Sequence, residues 1–201
     1  ANTIRMISNG DLSVLDPLMS SADVTRNAAF MVFDTLYGVD GTFQPQFQML
    51  AGHAVENDGL QWRLTLRDGL RFHDGEPVLA RDAVASLKRW GQKDTFGALL
   101  MAATDELAAE GDKDIVFRLN RRFPRLPDAL AKPLAYLPVI MPERLARTPR
   151  AERIREPIGS GPFRLESFEP GTRMAFAANP SYWRDGLPRI EALEVVGFPD
   201  S

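Results

Sequence analysis

The segment 61–90 restricts the possible folds most, because its hydrophobic pattern changes period part-way along. It begins with apolar residues that alternate with polar ones, which is typical of a half-buried strand: Trp62, Leu64 and Leu66. Asp68-Gly69 is a turn dipeptide, and the alternation resumes as far as Phe72. From Ala80 to Trp90 the apolar residues recur at helical spacing. The segment therefore predicts a β-hairpin followed by a helix, and a fold of mixed α/β (α+β) class.

The remaining patterns also mix helices with strands. Val24, Ala28, Val32 and Leu36 form one apolar stripe and predict a helix that ends at Gly38. We expect strands at 3–7, 106–110, 115–119, 163–168, 174–178 and 190–198, and short helices at 128–131 and 143–146. An apolar buried segment is expected at 136–141. The stretch 144–155 carries five arginines and few apolar residues, so we expect a mobile surface excursion there.

Composition excludes several classes of function. The 201 residues carry a net charge of −3, which gives no electrostatic reason to bind nucleic acid or an anionic membrane. No apolar run approaches the ~20 residues that a membrane-spanning helix needs. The chain has no cysteine and two histidines, which excludes disulfides and thiolate zinc sites and makes a histidine-rich metal site a poor hypothesis. We predict no cofactor and no metal.

The sequence FHDGEP at 72–77 contains one of the two histidines and has two interpretations. His73 beside Asp74 could serve a hydrolase that uses this histidine with a nearby carboxylate or serine. The setting favours a structural role, because Asp74-Gly75 is a turn dipeptide and Pro77 leads into a helix. We expect His73 to fasten its own loop.

Three further groups of residues have both a structural and a functional interpretation. Gly159-Ser160-Gly161 resembles a phosphate-binding loop, but Pro162 and a strand follow it, so a tight chain reversal is favoured. The carboxylates of Asp105, Glu106 and Glu110 fit a solvated face better than an acid/base pair. Five aromatic residues are expected mostly in the core, with one or two lining a ligand cleft: Tyr37, Phe96, Tyr136, Tyr182 and Trp183.

Several blocks, taken together and in order, resemble the bacterial extracellular solute-binding proteins of family 5. These are the peptide-, dipeptide- and nickel-binding components of ABC importers. The blocks are LDPL (15–18), VFDTLYGVDG (32–41), LTLRDGLRFHDGEPVLARDAVASLKRW (64–90), IVFRLNRRFP (115–124), IMPERL (140–145), EPIGSGPFRLESFEPGT (156–172) and NPSYWRDGLPRIEALEV (179–195). Each block is weak by itself, but the ordered set is specific.

The resemblance implies a periplasmic-binding-protein type II-like lobe one with an inserted β-rich subdomain. Family members are more than twice this length, so we expect the second lobe to be absent and the domain to be truncated. The implied division places a core subdomain at about 1–45 and 155–201, and an inserted subdomain at about 46–154.

The resemblance also implies a binding protein rather than an enzyme. Such a protein captures a peptide or similar small solute between two lobes and delivers it to an ABC transporter permease. The expected location is periplasmic or on the extracellular face, with contact to the membrane only through the permease or a lipid anchor. By their position in the family pattern, the expected ligand-binding residues are Met19, Ser20, Thr25, Phe96 and Tyr136.

Overall fold

The computed structural model describes residues 2–197 and has a mixed α/β fold. The helices are α1 (Asp23–Val32), α2 (Ala80–Gly91), α3 (Thr95–Ala102), α4 (Leu126–Leu130) and α5 (Glu143–Ala146). The strands are β1 (Thr3–Ile7), β2 (Asp34–Thr35), β3 (Tyr37–Val39), β4 (Pro45–Phe47), β5 (Leu50–Glu56), β6 (Gln61–Leu66), β7 (Thr104–Glu110), β8 (Asp114–Leu119), β9 (Val139–Ile140), β10 (Phe163–Glu169), β11 (Arg173–Ala178) and β12 (Ala192–Val196).

The first four-stranded sheet has the order β1-β12-β11-β10. Strand β1 pairs parallel with β12, whereas β10 and β11 form the predicted antiparallel hairpin around Pro170-Gly171. Helix α1 contacts β10. The buried side chains of α1 and of this sheet form one hydrophobic cluster, which contains Val24, Val32, Met174, Phe176 and Val195.

The second four-stranded sheet has the order β5-β6-β8-β7 and is entirely antiparallel. Trp62, Leu64 and Leu66 are buried, as their alternation predicts, and α2 contacts both β7 and β8. This sheet and α2 share the larger hydrophobic cluster, whose centre includes Trp90 and Phe117. Two short pairs, β2–β9 and β3–β4, complete the described strand pairing.

Helix α1 is shorter than its apolar stripe predicts, because it ends at Val32 rather than near Gly38. Phe33 is extended, and Asp34 continues into β2, which pairs with β9. The Gly161 N–H donates to the Val32 carbonyl oxygen at 2.9 Å. A side chain on Gly161 would meet the Met31 carbonyl oxygen at 2.7 Å, so glycine is needed where this loop covers the end of the helix. Leu36 is buried, although it lies outside the helix.

The predicted hairpin partner of β6 is wrong. Residues 70–72 form only an isolated bridge, Arg71 to Pro77, whereas β6 pairs with β5 and β8. The sequence pattern does not predict strand β5, because this strand lies at the edge of its sheet and its side chains do not alternate regularly between buried and exposed. The last strand, β12, is shorter than the predicted 190–198, and Phe198 lies outside the described residues.

The two hydrophobic clusters bear on the implied division of the chain, which remains a prediction. The larger cluster draws most of its members from between Met49 and Ile140. The smaller cluster combines α1 and the first sheet with Leu137, Val139 and Ile154. The segment 141–154, which precedes β10 in sequence, thus packs both against α1 and against the sheet that contains β10.

Candidate ligand-binding surface

Three buried carboxylates fasten the loops that connect the helices and sheets. Asp16, Asp34 and Asp94 are 2%, 5% and 3% exposed. Each accepts hydrogen bonds from a backbone N–H near its own position and from groups that are distant in sequence. Burial of a carboxylate is unfavourable unless hydrogen bonds satisfy it, so each of the three defines a fixed point beside a loop.

Asp16 forms a buried ion pair with Arg89 of α2. The Arg89 guanidinium donates to both carboxylate oxygens, at 3.2 and 2.8 Å, and the N–H groups of Leu18 and Ile154 also donate to Asp16. Arg89 further donates to the carbonyl oxygens of Thr148 and Glu152. The arginine-rich stretch 144–155 is therefore held against α2 instead of projecting freely.

Asp94 connects α3 to the loop before β9. Its carboxylate accepts from the Gly97 N–H at 2.8 Å, which caps α3, and from the Tyr136 N–H at 3.3 Å. Lys132 supplies the opposite charge and also donates to the Ala135 carbonyl oxygen at 2.8 Å. This carboxylate therefore fixes the backbone on which Phe96 and Tyr136 stand.

Asp34 differs from the other two because its hydrogen-bond donors are neutral. The Trp183 indole N–H donates to one oxygen at 2.8 Å, and the Gln48 amide and the Thr35 N–H donate to the other. Burial raises the pKa of Asp34 above its usual value, while these hydrogen bonds and the charge of Arg184 act against that shift. The carboxylate thus joins β2 to two distant segments, and it forms no ion pair with any residue in the range 2–197.

A cavity of about 320 Å³ lies beside Asp34. Its lining combines aromatic, apolar and charged groups: Phe30, Phe33, Asp34, Thr35, Gly38, Val39, Gln48, Ala131, Lys132, Pro133, Val139, Pro162, Tyr182 and Arg184. The Trp183 ring next to it has guanidinium groups near its face, Arg67 at 4.1 Å from the centroid and Arg184 at 4.8 Å. The cavity can hold a small solute with both polar and apolar parts.

The five expected ligand-binding residues fall into two groups. Met19, Ser20 and Thr25 lie in or next to the loop that Asp16 holds, and Ser20 and Thr25 line a cavity of about 460 Å³. Thr25 is 2% exposed, and its hydroxyl donates to the Val14 carbonyl oxygen at 2.8 Å.

The second group consists of Phe96 and Tyr136, which are half-buried against the larger hydrophobic cluster. Asp94 brings their backbones together, since its carboxylate accepts from Tyr136 and caps the helix that contains Phe96. The role of all five residues in binding remains a prediction.

His73 holds a neighbouring loop, and its environment gives no support to a hydrolase. Its Nε2 lies 3.0 Å from the Gly161 carbonyl oxygen, and its backbone N–H donates to the Gly159 carbonyl oxygen. Ser160 is adjacent, but its buried hydroxyl has no hydrogen-bond partner among the described residues and so forms no serine–histidine pair. Asp74 accepts from the Glu76 N–H and pairs with Arg144. The histidine therefore fastens the glycine loop that covers α1, rather than its own loop.

The carboxylates near β7 belong to hydrogen-bond and ion-pair networks on the outer face of the second sheet. Glu110 pairs with Arg63 and Arg118, and Glu106 also pairs with Arg118. Asp105 accepts from Asn120. Among residues 2–197 no group of three side chains is placed to hold a metal ion. Within the same range no helix is long and apolar enough to cross a membrane.

The structure adds residues that the sequence did not single out. Asp34, Gln48, Arg67 and Arg184 gather around Trp183, although they come from four separate segments of the chain. The sequence signal for the surroundings of Trp183 is the aromatic pair Tyr182-Trp183, which lies between turn residues. Its aromatic character predicts mainly a place in the core. The carboxylate and the arginines gave no local signal.

Comparison with known proteins places the chain in a family. The model of bacterial extracellular solute-binding proteins, family 5 Middle, matches residues 44–201. A probable peptide ABC transporter periplasmic-binding protein, y4tO of Sinorhizobium fredii, is 36% identical over 94% of this chain, which spans 34% of that relative.

Solved structures agree in fold. AgaA from A. tumefaciens R10, in complex with agropinic acid, has a TM-score of 0.84 at 21% identity, over 98% of this chain and 40% of that one. AppA from Bacillus subtilis, an oligopeptide-binding protein in complex with a nonapeptide, has a TM-score of 0.81 at 20% identity, over 99% and 41%. The chain belongs to the bacterial extracellular solute-binding proteins of family 5.

Proposed function

We propose that this chain forms one lobe of the solute-binding component of an ABC importer. In this role the lobe and a second lobe enclose a peptide or similar small solute and deliver it to a membrane permease. The observation that carries the proposal is the family match over residues 44–201. The relative y4tO, named as a probable peptide ABC transporter periplasmic-binding protein, supports the same function.

The proposed location is the periplasm or the outer face of the membrane, with or without a lipid anchor. The division into a core subdomain (1–45 and 155–201) and an inserted subdomain (46–154) belongs to the same proposal. A hydrolase is not proposed, because the Nε2 of His73 is engaged by a backbone carbonyl oxygen and no described nucleophile is bonded to it.

We further propose that Met19, Ser20, Thr25, Phe96 and Tyr136 form the solute-binding surface, to which Thr25 contributes from its buried position against Val14. The anchoring of both groups by Asp16 and Asp94 supports this role, since a binding surface gains affinity when its loops are already ordered. A single lobe encloses only part of a solute, so calorimetry on the 201-residue chain is expected to detect no tight binding of short peptides. Submicromolar binding would contradict this.

Deletion of the gene that encodes this chain tests the function directly. The deletion strain is expected to lose uptake of at least one class of isotope-labelled short peptides, and a plasmid copy is expected to restore it. A copy with Phe96→Ala and Tyr136→Ala is expected to restore uptake poorly at low peptide concentration. Unchanged uptake of all the labelled peptides in the deletion strain would overturn the proposal.

A further inference from the structure

We propose that the cavity beside Asp34 binds the carboxylate group of a small solute, and that Arg184 contacts this group. The inference rests on the proposed function, because it names the chemical class of one part of the captured solute. It adds a binding site to the two groups of residues that the sequence pointed to.

Two arginines near the cavity lack a carboxylate partner. Arg67 and Arg184 both lie against Trp183, yet within residues 2–197 no carboxylate oxygen lies within ion-pair distance of either. By contrast, Arg63 pairs with three carboxylates and Arg118 with two. Two like charges at one aromatic ring repel each other. The buried Asp34 carboxylate accepts its hydrogen bonds from Trp183, Gln48 and Thr35 and from neither guanidinium, so an anion placed between the two arginines and the solvent relieves repulsion that Asp34 leaves.

Arg184 is already oriented for such a contact. One of its terminal nitrogens donates to the Gln48 side-chain oxygen at 2.8 Å, and its guanidinium lies over the Trp183 ring. Gln48 and Trp183 are themselves fixed by hydrogen bonds to Asp34. Since a guanidinium has five N–H donors, several remain for a bidentate contact with a carboxylate. The ordering that binding usually requires is therefore largely complete beforehand.

The shape of the cavity indicates what accompanies the carboxylate. Phe30 is 44% exposed on its wall, and Phe33, Val39 and Pro133 add further apolar surface. Lys132 also lines the cavity, but its positive charge is already neutralised by the ion pair with Asp94, so we expect it to attract an anionic ligand only weakly. The site thus fits a small carboxylate with an apolar or aromatic group beside it.

Nuclear magnetic resonance of the 201-residue chain tests the site. The chain has three tryptophans, so its indole N–H signals are few, and Trp183→Phe assigns the one of interest. The probes are N-acetyl-L-phenylalanine and its neutral amide. We expect the acid at millimolar concentration to shift the Trp183 indole signal and the amide to leave it in place.

Variants identify the residue responsible. Arg184→Gln is expected to weaken binding of the acid about tenfold or more. Arg184→Lys keeps the positive charge but loses the two parallel N–H donors of the guanidinium, so we expect it to weaken binding less. Arg150→Gln is the matched control, because Arg150 is exposed and has no described ion pair. A backbone amide spectrum that matches the wild type shows that each variant is folded.

Three results would overturn the inference: no shift with the acid, an equal shift with the amide, or binding that survives Arg184→Gln. None of them touches the proposed function, which the uptake assay tests separately. Conversely, if deletion of the gene left peptide uptake unchanged, these titrations would still show that the cavity binds a carboxylate, but the role of the site in solute capture would be overturned with the proposed function.

Discussion

Asp16 and Asp34 are equally well buried, but they are neutralised in different ways. Asp16 receives two hydrogen bonds from the Arg89 guanidinium, so its negative charge is compensated inside the protein. Asp34 receives its hydrogen bonds from an indole, an amide and a backbone N–H, and none of these donors is charged. Cations do lie close to Asp34, yet they stack on Trp183 instead of pairing with the carboxylate.

Asp16 therefore has a structural role, because its ion pair fixes a loop. Beside Asp34, by contrast, the positive charges of Arg67 and Arg184 remain available to a ligand. Asp16 and Arg89 neutralise each other, and the result is a fixed loop that carries Met19 and Ser20. Around Asp34 the arginines Arg67 and Arg184 keep donors that face no carboxylate. An anionic solute can therefore add to the second region without displacing an existing ion pair, whereas in the first region the Arg89 guanidinium is already bonded to Asp16.

The largest expected effect is that of Arg89→Met, which leaves the Asp16 carboxylate buried without its cation. We expect the free energy of unfolding to fall by about 3 to 5 kcal/mol, because an uncompensated buried charge is strongly unfavourable. Urea unfolding measures the change. Arg118→Met removes two exposed ion pairs, with Glu106 and Glu110, and serves as the control, with an expected cost below about 1 kcal/mol. Equal costs for the two variants would contradict the role given to Asp16.

Lys132→Met is expected to have an intermediate effect. Asp94 loses its cation but keeps the N–H donors of Gly97 and Tyr136, and the Lys132 side chain is 20% exposed, so water can partly replace it. The expected loss is about 2 to 3 kcal/mol by urea unfolding. A loss as large as that of Arg89→Met would show that backbone donors stabilise a buried carboxylate less than we infer.

Asp34→Asn is expected to cost the least of the three, about 1 to 2 kcal/mol, because only the hydrogen bond from Trp183 loses its acceptor. The cost should also depend on pH. Since the folded pKa of Asp34 is raised, the unfolded chain releases this proton first as the pH rises above 3.8. The wild type therefore loses the stability that this group contributes, whereas the asparagine variant has no such contribution to lose. The difference in unfolding free energy is therefore expected to shrink as the pH rises above the unfolded pKa of 3.8 towards the raised folded pKa. A difference that grows over this range would contradict the raised pKa.

The sequence predicted the elements whose evidence is local. The alternation at β6, the helical spacing of α2 and the hairpin β10–β11 are all present at nearly their expected bounds. The end of α1 was wrong because it depends on Gly161, which covers the helix terminus from a remote segment. The missing partner of β6 has a similar cause, since β5 is an edge strand with a mixed pattern of exposure.

The cavity beside Asp34 could not be predicted for the same reason. The indole that binds Asp34 stands 149 positions along the chain, and Gln48 reaches the same carboxylate from another segment. The sequence pattern places Asp34 within the predicted helix that ends at Gly38, and nothing in it distinguishes Arg184 from other surface arginines. Only the packing of β2 against the loop before β12 brings these groups together.

Within residues 2–197 Asp34 is buried without a charged hydrogen-bond donor, unlike Asp16. Carbon-13 detection of the aspartate carboxyl groups during a pH titration measures this most directly, with the Asp34 signal assigned by its loss in Asp34→Asn. We expect the titration midpoint of Asp34 to lie above the ordinary value of 3.8. A midpoint at or below 3.8 would show that the hydrogen bonds to Asp34 and the charge of Arg184 outweigh the effect of burial, and the distinction between the two regions would be lost.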